Sequence, residues 1–591
     1  MKVVPKLAPA LALASLIGCV SQTPAPEPEV IPETSSTPIE PTPAPTPARP
    51  FTSDTLYALL SAEFAGSRGR FDVALANYLQ QAEQTGDPQV AERAYMISRY
   101  MGNQDAALNA ATLWAESDKD NEEAQAAAIL ALIEADRLLE AFNATQNTHT
   151  RDNGALLQSI AANGQNITDT QRETLLNQYQ QKLLQEPENV PLLIGTGLLL
   201  QQQGRGDEAL SLAEQAIELE PDNTHALVLN SGLLHELDRS DEAIALVKAQ
   251  LDNDPGNHRV RLQYARLLTF SDLNAAQQQF QILADANPRD PQLQRALALI
   301  AQERGDLDTA ETAYYALLDM NDSASEAHFF LAQLAEQRGE PDEALRHYQK
   351  VEPGDDFYTA TSKVFAIYLQ QNQPASADNY YRQLLGLMAD NPDTDHFTEL
   401  TIIYNQELVA ANKYDEALQL LNDSLASRTD DEHLLYARAM VHDATGNIAL
   451  AERDLRSIIE YDPNNATALN ALGYILTENT ERYSEAYDFI KKALELQPND
   501  PATIDSMGWV QYRLGNLDIA VRYLERALTI YPDHEIAAHL GEVLWVSGQQ
   551  EEALTVWRQG LEINPHSEYI HNTLQRLNVP AEPPTSETGS R

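Results

Sequence analysis

Apolar and small residues recur along most of this chain with a period close to 34 residues. Each period has two segments of helical character separated by a short turn, as expected for a pair of packed helices. A small residue, replaced once by leucine, marks each period. Successive markers are 33 to 35 residues apart except for one interval of 40. The fifteen markers are Ala74, Ala107, Ala141, Leu175, Ala209, Ala243, Ala276, Ala310, Ala344, Ala377, Ala417, Ala451, Ala486, Ala520 and Ala553.

Turn residues follow the same period. Five residues before the marker, twelve of the fifteen positions hold Gly, Asn or Asp, which tolerate the left-handed backbone at a helix end. The exceptions are Thr170, Ser271 and Glu481. Twelve residues after the marker, eight of the fifteen positions hold proline, which ends the second helix. The repeating unit is therefore helix, glycine turn, helix, proline turn.

This unit, clearest over residues 505–532, resembles the tetratricopeptide repeat. The resemblance covers residues 51–575 and implies an all-α solenoid, a right-handed superhelix of antiparallel helix pairs. The interval of 40 adds six residues near 388–396 and predicts a longer loop or a break there. We therefore expect an N-terminal and middle array over 51–390 and a C-terminal array over 391–575. The helix pair around Leu175 is expected to be degenerate.

The first 18 residues predict an export signal. Lys2 and Lys6 precede an apolar stretch of 11 residues that is too short to span a membrane. The stretch ends in the tetrapeptide LIGC, which resembles the lipobox of bacterial lipoproteins. The resemblance implies cleavage before Cys19 and lipid attachment to it. The alternative is ordinary cleavage after Ala14, which would leave Cys19 as a free thiol.

The segment that follows the cysteine predicts a tether. Residues 20–50 contain ten prolines among 31 positions, so residues 19–50 are expected to form a lipidated, extended spacer. Val20 stands where an aspartate would typically signal inner-membrane retention. The resemblance thus implies an outer-membrane protein that faces the periplasm. At the other end, residues 576–591 are predicted to be a disordered tail.

The net negative charge of the chain excludes some classes of binding partner. The chain has 88 acidic and 40 basic residues, a formal charge of −48 and a pI near 4.4. Such a chain repels nucleic-acid phosphates and anionic lipid headgroups. We therefore expect no nucleic acid, and contact with the membrane through the lipid anchor only. Cys19 is the one cysteine, so no intramolecular disulfide forms.

The sequence offers one motif that suggests a metal site. His534, Glu535 and His539 resemble the zinc-protease motif HExxH, in which both histidines lie one helical turn apart. Here the histidines are five residues apart and point to different sides of a helix. No phosphate-binding or nucleophile-elbow motif is present. We therefore expect a non-enzymatic protein with no metal and no cofactor.

Binding is expected on first-helix positions that have no packing role in this repeat family. Exposed aromatic residues there are candidate hot spots, because they bury a large area with few rotors to freeze. The alternative is that some of them fill the interior of the superhelix. Trp114 and Trp557 fall on second helices, where we expect core packing. The predicted partner-binding residues are Tyr436, Met440, Asn470, Tyr474, Trp509, Tyr512, Arg513 and Trp545.

The combination of anchor, tether and long repeat array resembles the adaptor lipoproteins of periplasmic carboxyl-terminal processing proteases. The resemblance implies a scaffold that holds such a protease and delivers protein substrates, notably peptidoglycan hydrolases. A second hypothesis is an envelope assembly factor, pilotin-like, that escorts a secretin or outer-membrane protein. A third is an enzyme, by analogy with periplasmic metalloproteases that carry such repeats, which would require an HExxH-bearing domain.

Overall fold

A computed structural model describes residues 51–146, 153–320, 323–388 and 396–579. These residues form 31 α-helices and one short 3-10 helix, and they contain no β-strand. The predicted all-α fold is confirmed. None of the described helices is long and apolar enough to cross a membrane. The signal peptide, Cys19, the tether and residues 580–591 lie outside the described ranges, so their assignments stay predictions.

The chain forms two compact units, one ending at Ala313 and the other beginning at Tyr314. The helices before the boundary are α1 (Ser53–Ser67), α2 (Phe71–Thr85), α3 (Pro88–Tyr100), α4 (Gln104–Ser117), α5 (Glu122–Glu134), α6 (Leu138–Thr145), α7 (Asn153–Ala162), α8 (Asp169–Gln185), α9 (Val190–Gln202), α10 (Gly206–Leu219), α11 (Thr224–Glu236), α12 (Ser240–Asn253), α13 (His258–Leu268), α14 (Leu273–Ala286) and α15 (Pro291–Glu303), with the 3-10 helix at Asn163–Asn166.

The boundary falls inside α16 (Leu307–Asp319). The helices after it are α17 (Ala324–Arg338), α18 (Pro341–Tyr348), α19 (Phe357–Gln370), α20 (Pro374–Met388), α21 (His396–Ala410), α22 (Tyr414–Ser427), α23 (Glu432–Ala444), α24 (Ile448–Tyr461), α25 (Ala466–Asn479), α26 (Tyr483–Leu496), α27 (Pro501–Arg513), α28 (Leu517–Ile530), α29 (His534–Val546), α30 (Gln550–Ile563) and α31 (Glu568–Arg576).

The predicted turns adopt the left-handed backbone. All twelve Gly, Asn and Asp residues of the turn series have positive φ, including Asp136 at 55° and Asn412 at 57°. These residues end the first helix of a pair, because a left-handed residue lets the chain reverse directly after the last helical turn. The three exceptions in the series do not have positive φ in the structure. The positions of these left-handed turns were therefore predicted correctly from the sequence.

The marker residues lie where the two helices of a pair meet. All fifteen are buried, and none is more than 2% exposed. The first helix contributes a small residue of its own to this contact, as at Gly508 on α27. A Cβ atom there would lie 2.6 Å from Cγ of Leu524 on α28, far inside van der Waals contact. The close approach of the two helices therefore requires small residues on both.

The degenerate pair around Leu175 has a different turn. Thr168 caps the start of α8, and it forms a reciprocal capping box with Gln171. Thr170, which occupies the glycine position of the series, thus lies in the first turn of α8. The preceding connection is the 3-10 helix instead of a left-handed residue. Leu175 nevertheless remains fully buried.

The boundary between the two compact units lies between residues 313 and 314 of the chain, whereas the sequence predicted a division between 390 and 391. One apolar core cluster extends from Phe329 to Val510 and includes Leu384 on α20 and Leu400 on α21. The helices on both sides of the added residues therefore share one core. At the C-terminus, α31 ends at Arg576, and Leu577 and Val579 beyond it still contribute apolar contacts.

Candidate protein-binding surfaces

An open groove lies between α1, α2 and α3, and we call it the N-terminal groove. Its volume is about 440 Å³, and its walls include Phe71 on α2 and Met96 and Tyr100 on α3. The rings of Phe71 and Tyr100 are 4.8 Å apart. Met96 is 46% exposed and Tyr100 is 74% exposed. Large apolar side chains that remain accessible in a groove are suited to contact a protein partner.

A polar group in the lining of the groove links α1, α2 and α3. The hydroxyl of Tyr78 donates to the carboxylate of Glu63, and Arg93 lies 3.7 Å from the same carboxylate. Burial, followed by the neighbouring Glu63, raises the pKa of Tyr78 to about 12. The tyrosine therefore stays a neutral donor at physiological pH. The groove thus combines exposed apolar side chains with a paired polar group.

This groove is not among the predicted binding sites, although its signal is present in the sequence. Met96 lies six residues before the turn glycine Gly102, as Trp509 lies six residues before Gly515. Tyr100 lies two residues before its turn glycine, as Arg513 does. The same register applied to the first repeats would have found both groove residues.

The first helices of the last repeats carry a second surface, which we call the C-terminal polar cluster. At its centre, Nδ1 of His539 on α29 donates to the carboxylate of Asp505 on α27 at 2.9 Å and 3.1 Å. The ring of Trp509 stacks on His539 with centroids 4.2 Å apart. The indole N–H of Trp509 donates to Glu478 on α25. Neighbouring first helices are therefore joined by polar and aromatic contacts.

Trp509 lies in the predicted register, but its side chain is only 5% exposed. The expectation of an exposed aromatic anchor is wrong at this residue. His539 and Tyr512 cover its ring from the next first helix and from its own helix. This agrees with the alternative that some aromatic residues fill the interior. A partner-binding role for Trp509 stays a prediction. A ring buried in this way could affect binding only by holding the surrounding surface residues in place.

Neighbouring carboxylates and burial determine the protonation states of the residues in the C-terminal polar cluster. Burial alone lowers the pKa of His539, but the carboxylates of Asp505 and Glu535 outweigh it and raise the pKa to about 9. Burial raises the pKa of Glu535, and Asp505 adds to that shift. Tyr474 on α25 donates to Glu535 at 3.1 Å, and burial raises its pKa as well. His539 is therefore cationic at neutral pH and neutralises part of a carboxylate-rich surface.

Tyr512 and Arg513 extend the cluster at the end of α27. The hydroxyl of Tyr512 donates to the buried carboxylate of Glu542 at 3.1 Å, and Arg576 on α31 donates to the same carboxylate at 2.8 Å. Arg513 donates to the hydroxyl of Tyr483 at 2.6 Å and stacks over its ring. Both predicted residues are half-buried and already have partners within the chain.

The other predicted residues are also half-buried. Tyr436 and Met440 on α23 pack against the core cluster of the second unit. Asn470 on α25 has a buried amide oxygen without a hydrogen-bond partner among the described residues. Trp545 on α29 lies 5.8 Å from the ring of Trp557. The structure thus brings Tyr474, Trp509, Tyr512 and Arg513 into one cluster and places the remaining four around it.

The two tryptophans predicted to be core residues are confirmed. Trp114 on α4 and Trp557 on α30 are each 2% exposed. The two histidines of the zinc-protease-like motif face different helices. His534 contacts Ser567, at the start of α31, at 3.1 Å, whereas His539 contacts Asp505 on α27. Over the described residues, no three His, Cys, Asp or Glu side chains are grouped so that they could hold a metal ion.

Comparison with protein families identifies the repeat. Family models described as tetratricopeptide repeat match residues 200–267, 266–322, 296–358, 464–533 and 506–568. In a crystal structure of the APC/C hetero-tetramer Cut9–Hcn1, the alignment covers 89% of this chain and 96% of that chain. The sequence identity is 16% and the TM-score is 0.31.

Two curated relatives show how far the likeness extends. The TPR repeat-containing protein PA4667 of Pseudomonas aeruginosa is 38% identical over 511 residues, which cover 85% of this chain and 86% of the relative. Human mitochondrial import receptor subunit TOM70 is 21% identical over 201 residues, or 34% of this chain and 33% of the relative. The first match spans nearly the whole of both chains. The chain therefore belongs to the family of tetratricopeptide-repeat-containing proteins, whose stacked helix pairs present extended surfaces to protein partners.

Proposed function

We propose that this chain is a non-catalytic, lipid-anchored adaptor of the outer membrane that faces the periplasm. It binds a carboxyl-terminal processing protease and delivers protein substrates such as peptidoglycan hydrolases. The anchor is assigned to Cys19 and the spacer to residues 20–50, both on the sequence pattern alone. The body that follows is a repeat array with the fold of a protein-binding scaffold.

The observation that carries this proposal is the presence of two chemically different surfaces on the first helices. The N-terminal groove is open and apolar, with Met96 and Tyr100 exposed at its rim. The C-terminal polar cluster is rich in carboxylates. Its Asp505–His539 pair is buried, and the cluster reaches the surface through exposed Glu478 and half-buried Tyr474 and Tyr512. An apolar groove and an acidic, preformed surface select different partners. An adaptor needs such a pair, because it must hold an enzyme and a substrate at the same time.

The physical gain of such an adaptor is effective concentration. A protease and a substrate held on one chain meet in an intramolecular step, so cleavage is accelerated without any new catalytic group. The acceleration requires both surfaces to be occupied together. Excess adaptor should therefore slow cleavage again, because protease and substrate then bind to separate copies. This bell-shaped dependence distinguishes an adaptor from an allosteric activator that binds the protease only.

The proposal is tested by reconstitution of a periplasmic processing protease, a peptidoglycan hydrolase and the full chain with Cys19→Ser. We expect the chain to capture both proteins and to accelerate cleavage with a bell-shaped concentration dependence. The double variant Met96→Ala/Tyr100→Ala should lose capture of one of them. The matched control Tyr461→Ala removes a tyrosine that is 79% exposed at the end of α24, and it should leave capture unchanged.

Three outcomes would contradict the proposal. Failure to bind either protein would exclude the adaptor role. Capture of a secretin or an outer-membrane barrel subunit from solubilised envelopes, in place of a soluble protease, would favour the assembly-factor hypothesis. Cleavage of the hydrolase by the chain alone, together with stoichiometric zinc in the purified protein, would favour the enzyme hypothesis.

A further inference from the structure

The first helix of the array has an uncovered stacking face. In a repeat with a neighbour before it, one face of the first helix consists of the residues twelve, eight and five positions before the turn glycine. On α27 these residues are Thr503, Met507 and Val510, and all three are buried. Met507 and Val510 of this set belong to the core cluster of the preceding repeats. The corresponding residues of α3 are buried as well. The register therefore defines which face of a first helix requires a partner.

On α1 the same register falls on exposed residues. The positions are occupied by Tyr57, Ser61 and Phe64, next to Leu56 and Leu60. The four large apolar side chains of this set are between 51% and 75% exposed. A terminal repeat normally carries a polar outer face that keeps the array soluble. This face is instead aromatic and aliphatic, so it has the composition of an interface.

The charges at the two ends of this face are arranged for self-pairing. Asp54, Tyr57, Ser61, Phe64 and Arg68 are spaced by three and four residues in alternation, which places them on one stripe of the helix. Asp54 and Arg68 are exposed at opposite ends of the stripe, and neither has an ion-pair partner among the described residues. A stripe that is acidic at one end and basic at the other matches a reversed copy of itself.

We propose that the exposed face of α1 binds α1 of a second copy of this chain in an antiparallel arrangement. With a two-fold axis near residues 60 and 61, Tyr57 of each copy faces Phe64 of the other. This register brings Asp54 of each copy within one residue, about 1.5 Å along the helix axis, of the position opposite Arg68 of the other, which the long arginine side chain can span. Such a contact is isologous, as expected for a two-fold dimer.

The size of the contact predicts its strength. Buried aromatic side chains contribute ~150–250 Å² each. Eight half-exposed side chains from two copies therefore bury roughly 800 Å², which is below the ~1,200–2,000 Å² of stable specific interfaces and within the range of weak, transient ones. We expect a weak, concentration-dependent dimer, in which the end charges decide the register. Reversing one of the two charges replaces two attractive contacts by two repulsive ones, which should weaken the dimer on the order of tenfold or more.

The test uses the full chain with Cys19→Ser, so that no acyl chain contributes to association. Sedimentation velocity from low to high micromolar concentration should show a reversible dimer. Asp54→Arg alone and Arg68→Asp alone should each sediment as monomers. An equimolar mixture of the two variants should dimerise again, because each end then meets its opposite charge. Leu60→Asp should abolish dimerisation in every background, with circular dichroism confirming that the array remains folded.

The mixture experiment separates this geometry from other occupants of the face. A chain that is monomeric at all concentrations would overturn the proposal, and so would single variants that dimerise as well as the parent. A monomeric chain whose Leu60→Asp variant loses capture of another protein would assign the face to that protein instead. Dimerisation that appears only after residues 20–50 are removed would show that the tether covers the face, and it would equally overturn the proposal.

Discussion

Replacing Trp509 with alanine tests whether the C-terminal polar cluster is a structural element. The indole stacks on His539 at 4.2 Å and on Tyr512 at 5.0 Å, and its N–H donates to Glu478. The substitution removes both ring contacts and leaves a cavity between α27 and α29. It also exposes the Asp505–His539 pair to water, which weakens their attraction.

The magnitude follows from the burial of the ring. Truncation of a buried Trp or Phe to alanine costs about 3–5 kcal/mol, and Trp509 is nearly fully buried. Trp509→Phe keeps the stacking but removes the hydrogen bond to Glu478. We expect that variant to lose about 1.5–3 kcal/mol, since the accepting group is a carboxylate. The control Tyr461→Ala, at an exposed position of the same unit, should stay within about 0.5 kcal/mol of the parent.

A repeat array does not unfold as a whole, so the assay must resolve its parts. Hydrogen exchange followed by mass spectrometry on the full chain measures the opening free energy of each helix. For Trp509→Ala, protection should fall in α27 and α29 and stay unchanged in α9 to α12. A loss below about 1 kcal/mol there, combined with loss of partner capture, would refute the structural role and restore the exposed anchor that the sequence predicted.

Two further predictions concern the same end of the chain. Gly541→Ala should destabilise α29 by about 1–3 kcal/mol, because the added Cβ would overlap the indole of Trp557. Gly232→Ala is its control, and it should stabilise α11 slightly because open space surrounds that glycine. Exchange protection of the two helices checks both. The pKa of His539 is raised, so its stabilising contribution is complete below pH ~6.5 and is lost as the pH rises through about 9. The opening free energy of α29 should fall over that interval by at most about 3 kcal/mol, and His539→Gln should flatten this dependence.

Much of the fold could be predicted because local chemistry fixes it. The left-handed turns at Asp136 and Asn412 follow from side chains that tolerate positive φ, whatever surrounds them. The buried markers follow from the spacing at which two helices of a pair meet. Trp114 and Trp557 could be assigned to the core because they fall on second helices, and in the structure each lies against the first helix of its own pair.

The surfaces were harder to predict, because exposure depends on neighbours that are distant in sequence. Trp509 has the register of a surface residue, and it is buried because His539, 30 residues further on, covers its ring. Tyr57 has the register of a packing residue, and it is exposed because no repeat among the described residues precedes α1. In both cases the helical pattern is correct, and the burial is decided by what lies against the helix.

The hydrogen bond from Tyr474 to Glu535 joins helices that are two repeats apart. In an array whose repeats interact only with their immediate neighbours, each repeat can be removed at the loss of a single interface. Here one hydrogen bond also couples helices beyond nearest neighbours, so the loss of α29 acts on α25 as well as on α27. A chain truncated after α28 would therefore lose a stabilising contact of α25, although α25 keeps every residue of its own.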